Sequence, residues 1–223
     1  MTERLKETLS RSNTLFISWA VVASFGTYFC MYAFRKPFNA GLYQGLELWD
    51  IGYKSILIIA QVAGYTLSKF VGIKVISELK PSSRIKLIIS LIIVSEIALL
   101  FFGIVPHPYN FIFLFINGLP LGMVYGVVFS FLEGRRFTEM LAMGLNISVV
   151  VASGILKTTY IEVHKLVPHI SEFWMPCLIG LLFLPFFLVF VWMLSVIPKP
   201  SQDDIDLRTE RVPMTASDRK AVL

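Results

Sequence analysis

An all-α membrane protein with six transmembrane helices is predicted by three observations. Six apolar stretches of near-spanning length run through the chain, nearly all of its charged side chains stand outside them, and a polar, mixed-charge segment follows the last stretch. Crossing a hydrocarbon core about 30 Å thick takes about 20 mostly apolar residues as a helix. Continuous apolar runs of that length satisfy their own backbone only as helices, because no water is available at that depth. The composition agrees: 56% of residues are hydrophobic, 16% are charged, and the mean hydropathy is +0.71.

The spans are expected at residues 15–34, 51–70, 87–105, 111–132, 140–156 and 174–197. They divide the chain into an N-terminal segment 1–14, a six-helix domain 15–197 and a tail 198–223. Segment 1–14 is polar and lacks the compact apolar region and small-residue cleavage site of a secretory signal, so the first span is expected to stay in the membrane. The tail has too few apolar residues to build a domain of its own and is expected to lie in the cytoplasm.

Lys and Arg accumulate in loops that remain cytoplasmic. Arg4, Lys6 and Arg11 precede the first span; Lys74, Lys80, Arg84 and Lys86 follow the second; Arg135 and Arg136 follow the fourth. Lys199, Arg208, Arg211, Arg219 and Lys220 follow the sixth, whereas the opposite side carries Lys54, Lys157 and Lys165 with His107, His164 and His169. Both termini are therefore expected in the cytoplasm. This one-sided excess accounts for the net charge of +5 and the pI near 9.2. Its expected partner is the anionic lipid surface and not a nucleic acid.

Packing devices are written into the later spans. Gly118, Gly122 and Gly126 recur every four residues on the fourth helix, and Gly144, Ser148 and Ala152 do so on the fifth. Small residues at that spacing let helix backbones approach closely in lipid. Pro120, Pro176 and Pro185 sit in apolar spans, where each removes a backbone donor and can kink a helix. Cys30 and Cys177 both fall in spans, which points to small buried side chains and to neither a disulfide framework nor a metal site. No cofactor is expected.

Ionisable groups inside spans are the functional candidates, since an unpaired charge at the bilayer centre costs at least about 2.5 kcal/mol. Arg35 and Lys36 end the first apolar run, Lys69 lies near the end of the second, and Glu96 sits inside the third. Arg35 and Lys36 either snorkel to headgroups or, if the helix continues through Phe38 and Ala40, lie further inward, where a guanidinium can grip an anion bidentately. Lys69 is either an interfacial anchor or a second cation of the same site. Glu96 is either a proton-coupling carboxylate or a hydrogen-bonding group within the bundle. Asn146, Ser148 and Ser153 either line a path or join helices. An intramembrane enzyme is not expected, because His107, His164 and His169 fall outside the spans with no acid or nucleophile at helical spacing.

Residues 28–40 read Y-F-C-M-Y-A-F-R-K-P-F-N-A and residues 63–70 read A-G-Y-T-L-S-K-F. Both segments resemble the organophosphate:phosphate antiporters of the major facilitator superfamily, of the glycerol-3-phosphate transporter type. Residues 118–154, with a glycine-rich helix, a turn carrying Glu133, Arg135 and Arg136, and a small-residue helix, resemble that superfamily's fourth and fifth helices. An uncharacterised bacterial group of major facilitator-like proteins is more similar still, its inter-half loop resembling residues 198–219 with Asp203, Asp204, Arg208, Arg211, Pro213 and Met214.

The resemblance implies one half of a major facilitator fold, built from three-plus-three helix repeats, in a bacterial inner membrane. It implies that Arg35 binds substrate phosphate, that Lys69 faces the same cavity, and that Tyr28 and Tyr32 supply phenolic donors; it gives Lys36 no role. The chain departs from the pattern in having Ser77 and Glu78 near the usual Asp-Arg pair, Val149 at the position of a fifth-helix histidine, and six spans instead of twelve. The expected function is half of a secondary transporter moving a small anionic, phosphorylated solute by alternating access. Its partner is expected to be a second six-helix half on a separate chain, with a homodimer or a degenerate copy as alternatives. The other expectation is a non-transporting membrane scaffold or sensor.

Overall fold

A computed structural model describes residues 2–135, 137–200 and 204. Arg136 and the tail residues Asp203, Arg208, Arg211, Pro213, Met214, Arg219 and Lys220 lie outside the described residues. Among the described residues seven α-helices follow in order: α1 (Thr2–Arg11), α2 (Asn13–Ala33), α3 (Tyr53–Ser77), α4 (Arg84–Ile104), α5 (Phe111–Phe129), α6 (Thr138–Leu166) and α7 (Met175–Ser195). The six from α2 to α7 are long and apolar enough to cross a membrane. The protein is an all-α, six-helix membrane protein.

Helix ends differ most from expectation where the side chains are polar. The second span continues past Phe70 to Ser77, and the fifth continues past Leu156 to Leu166. Hydropathy falls where polar side chains enter a helix, whereas the hydrogen-bonded ladder runs on through Lys74 in α3 and through Lys157, Glu162 and Lys165 in α6. Segment 1–14 is not merely polar: α1 forms there, with Leu9 buried against the bundle and Lys6 paired to Glu3 at 2.8 Å. Ser12 then caps α2 by accepting from the Leu15 amide at 3.4 Å.

The five most extensive helix contacts are α3 with α5, α4 with α5, α2 with α6, α2 with α7, and α4 with α7, with smaller ones between α2 and α5 and between α6 and α7. Exchanging α2, α3 and α4 for α5, α6 and α7 maps the five onto themselves, the pattern that two similarly packed three-helix units would give. Phe34, Phe38, Phe102 and Phe187 fill the centre. Ile59, Phe70, Ile73 and Val150 point outward, as befits side chains that meet lipid.

The glycines expected to permit close packing do so. A methyl group at Gly118 of α5 would lie 2.8 Å from the Tyr65 amide nitrogen of α3, and one at Gly122 would lie 2.7 Å from the Tyr65 carbonyl oxygen. Gly144 of α6 meets the Val21 side chain of α2 at 2.6 Å in the same sense. Pro120 and Pro185 lie inside α5 and α7, while Pro176 stands in the first turn of α7.

The α2–α3 connection is ordered by more than its length. Pro37–Ala40 forms a 3-10 turn packed on α6 and α7, and Glu47–Leu48 pairs with Ile51–Gly52 as a two-stranded hairpin. Ile51 therefore belongs to a strand and not to the second span. Glu172, before α7, accepts from the Leu42 and Tyr43 amides at 2.9 and 2.7 Å. Burial, with Tyr160 and Glu172 nearby, holds the Tyr43 phenol well above its ordinary pKa. It is a neutral hydroxyl at physiological pH. Glu172→Ala is expected to lower unfolding stability by about 1 kcal/mol, because the exposed Leu42 amide and the part-buried Tyr43 amide lose a charged acceptor. Thermal unfolding in detergent measures this, and an unchanged midpoint would show that solvent replaces the carboxylate.

Candidate functional site

Tyr28 and Tyr32 are four residues apart on α2 and so share a face; their rings meet edge to face at 5.4 Å. Arg35 follows in the turn after Ala33, and its Cζ lies 3.9 Å from the centre of the Tyr65 ring and 5.6 Å from that of Tyr32. Lys69, one turn beyond Tyr65 on α3, places its Nζ 4.9 Å from the same Tyr65 ring and 5.6 Å from Tyr125 of α5. Tyr125 meets Tyr28 at 5.4 Å and donates to Asn146 Oδ1 of α6 at 3.1 Å. Four helices thus gather two cations among four tyrosines.

The two cations flank one ring, each within the range of a cation–π contact. Tyr28 and Tyr32 are buried, Arg35, Tyr65 and Tyr125 are half-buried, and Lys69 and Asn146 are exposed. The cluster is therefore closed on the α2 side and open where α3 and α6 present Lys69 and Asn146. Neither Arg35 nor Lys69 has a carboxylate within salt-bridge distance among the described residues.

Arg35 reaches this place by a route the sequence leaves open. The α-helix does not continue through Phe38 and Ala40; it stops at Ala33. Tyr65, however, is the central residue of α3, which runs Tyr53–Ser77, so the guanidinium stacked on it lies level with the middle of that span. Lys69 likewise is not at a helix end, since α3 continues to Ser77.

The end of α2 inside the bundle leaves carbonyls without helical partners. The Arg35 and Lys36 amides both donate to Tyr32 O, at 3.0 and 2.8 Å. Gln61 Nε2 of α3 donates to Arg35 O at 3.0 Å and to Asn117 Oδ1 at 2.8 Å. Asn117 Nδ2 of α5 donates to Phe34 O at 3.1 Å, and to Ser95 of α4 at its Oγ, 2.6 Å, and its O, 3.2 Å. Non-helical backbone at membrane depth is tolerated where protein groups satisfy it, and here two amide side chains do so.

Glu96 does not join this cluster. It accepts from Cys177 Sγ of α7 at 3.2 Å through Oε1, while its Oε2 is buried against Gly180 with no partner among the described residues. Ser148 is buried and donates to Leu145 O of its own helix at 2.6 Å, whereas Ser153 is exposed. Tyr65, Tyr125, Gln61 and Asn117 are the site residues that sequence reasoning did not single out. The Tyr65/Lys69 spacing of four on one helix was the available signal for the first. The others depend on which helices become neighbours.

Chemically, a guanidinium with one face on a tyrosine can direct two parallel N–H donors at an oxyanion. A lysine beside it adds a point charge, and the phenols add neutral donors. The arrangement suits a small anion with at least two terminal oxygens.

Residues 37–223 match a family described as a family of unknown function, DUF5690. The chain belongs to that family. The DUF5690 match begins immediately after Lys36, so Gln61, Tyr65, Lys69, Glu96, Asn117 and Tyr125 lie within it, and Tyr28, Tyr32 and Arg35 precede it. No curated protein and no solved structure matches the chain.

Proposed function

We propose that this chain is one six-helix half of a secondary transporter for a small anionic, phosphorylated solute. The observation that carries this reading is the pair of cations, Arg35 and Lys69, gathered over one tyrosine ring halfway along α3 without a carboxylate partner among the described residues. Uncompensated charge within a span is costly, and a bound anion offsets that cost. The repeat of helix contacts between the two three-helix units supports a major facilitator-like half. In such proteins substrate sits near the midplane between two halves, which rock about it.

In this mechanism Arg35 and Lys69 draw in and hold the anion, and Tyr28 and Tyr32 contribute phenolic donors. A second six-helix unit, on another chain or as a second copy, supplies the facing wall. Glu96, separate from the cations, is the candidate proton-coupling carboxylate. The basic residues Arg4, Arg11, Lys80 and Lys86 lie on one face and support cytoplasmic placement of both chain termini, and the membrane is proposed to be a bacterial inner one.

The test is equilibrium binding of inorganic phosphate and of a sugar phosphate to the full chain in lipid nanodiscs. Wild type is expected to bind, and Lys69→Ala to bind about fivefold more weakly, as suits one solvent-exposed charge. Equal affinity for a neutral sugar and its phosphate would remove the anion from the proposal. Phosphate binding without uptake into proteoliposomes, even with a partner half supplied, would favour a sensor.

A further inference from the structure

We propose that Gln61 and Asn117, backed by Ser95, are positioning residues that set the pose of Arg35 by holding the two peptide groups on either side of its Cα. This rests on the reading of Arg35 as the anion-gripping cation. The Phe34 carbonyl belongs to the peptide that precedes Arg35, and the Arg35 carbonyl to the one that follows. Asn117 holds the first at 3.1 Å and Gln61 the second at 3.0 Å. With both planes held, the φ and ψ of Arg35 are fixed, and with them the direction in which its side chain leaves the backbone.

The same helix holds the other end of the side chain. Gln61 and Tyr65 are four residues apart on α3 and lie on one face, so α3 grips Arg35 at its carbonyl through Gln61 and at its guanidinium through the Tyr65 ring. Asn117 ties this grip to α5 and α4, because its Oδ1 accepts from Gln61 and its Nδ2 reaches Ser95. All three side chains are buried: Gln61 is 4% exposed, Asn117 and Ser95 0%.

The task requires amides. Asn117 must accept from Gln61 through its Oδ1 while donating to Phe34 O through its Nδ2, which a carboxylate or an aliphatic side chain of the same size cannot do. A glycine in the left-handed conformation is the common way to end a helix and satisfy its carbonyls. Here the turn carries Phe34, Arg35 and Lys36, and the partners come from neighbouring helices. A helix end tied in this way moves with α3 and α5, so a shift between those helices would re-aim the guanidinium.

Side-chain 15N–1H spectra of the arginines, recorded on the full chain in nanodiscs, read the pose of Arg35 without any ligand. Its Nε–H signal, assigned by its loss in Arg35→Lys, is expected to carry a ring-current shift from Tyr65 and to lose it in Tyr65→Leu. Gln61→Met removes the donor at nearly constant volume. It is expected to move that signal to the position of a solvent-exposed arginine and to weaken inorganic phosphate binding about tenfold, the loss of roughly one hydrogen bond to a charged group. Ser95→Ala, which leaves the Asn117 bond to Phe34 in place, is expected to fold and to shift the signal in the same direction by less.

A signal unmoved in the folded variants would overturn the proposal even if phosphate binds through Arg35. The expected movement in a protein that binds no phosphate would instead overturn the anion reading and leave the positioning role standing.

Discussion

Arg35→Ala is expected to weaken phosphate binding by at least about 100-fold, the largest loss of any single substitution at the site. Two charge-assisted hydrogen bonds at about 1.5–3 kcal/mol each amount to roughly two decades or more of affinity. Arg35→Lys keeps the charge but loses the planar two-pronged edge; an intermediate loss of about tenfold follows if geometry and charge both contribute. The protein itself should tolerate the alanine variant. Arg35 has no carboxylate partner among the described residues, and its cation–π contact with Tyr65 is offset by the cost of holding a charge at that depth. A thermal midpoint close to wild type, together with lost binding, is the expected pair of results. Binding in nanodiscs that survives Arg35→Ala would refute the role assigned to the guanidinium.

Gly118→Val is expected to cost roughly 3 kcal/mol or more of stability, at the upper end of what overpacking produces. The added carbons would meet the Tyr65 amide nitrogen and the Gly64 carbonyl carbon of α3, within 2.8 and 3.2 Å of the first of them. Main-chain atoms inside a helix cannot turn aside as a side chain can, so α3 and α5 must separate. The site should fail with the fold, because α3 carries Gln61, Tyr65 and Lys69 and α5 carries Asn117 and Tyr125. Gly154→Ala is the matched control. A methyl group there would meet nothing within 4 Å, and alanine in a helix is favoured over glycine by about 0.8–1 kcal/mol. Thermal unfolding of both variants in detergent decides the matter: a Gly118→Val midpoint equal to that of wild type would mean that the α3–α5 contact is not tight.

The six spans were legible because bilayer thickness sets a length and hydrocarbon sets a composition, and both are local properties of the chain. The glycine spacing of α5 was legible for the same reason, since a period of four on one helix marks one face whatever that face later meets. Arg35, Lys69 and Glu96 stood out as charges in the wrong solvent. The extension of α3 to Ser77 and of α6 to Leu166 was not visible in hydropathy, which does not register a helix once its side chains turn polar.

Gln61 and Asn117 illustrate the boundary. In the sequence they are two amides in apolar runs, indistinguishable from Asn146, which turned out to be exposed. Only the approach of α3 and α5, permitted by Gly64, Gly118 and Gly122, brings the two amides within hydrogen-bond distance of each other and of the end of α2. Glu96 shows the converse: as an ionisable group inside an apolar run it was as conspicuous as Lys69, yet the bundle turns it toward Cys177 and Gly180 and away from the cations.

By itself the sequence determined that this is a six-helix membrane protein and which few charged residues stand in or at the ends of its apolar runs, because transfer into hydrocarbon acts on each segment separately. The tertiary structure alone decided that Arg35 and Lys69 share one tyrosine, that α2 ends within the bundle, and that two amides from other helices complete it. Those are relations between helices far apart in the chain, and the energy that sets them, close packing and hydrogen bonds made where no water competes, exists only after the helices have met.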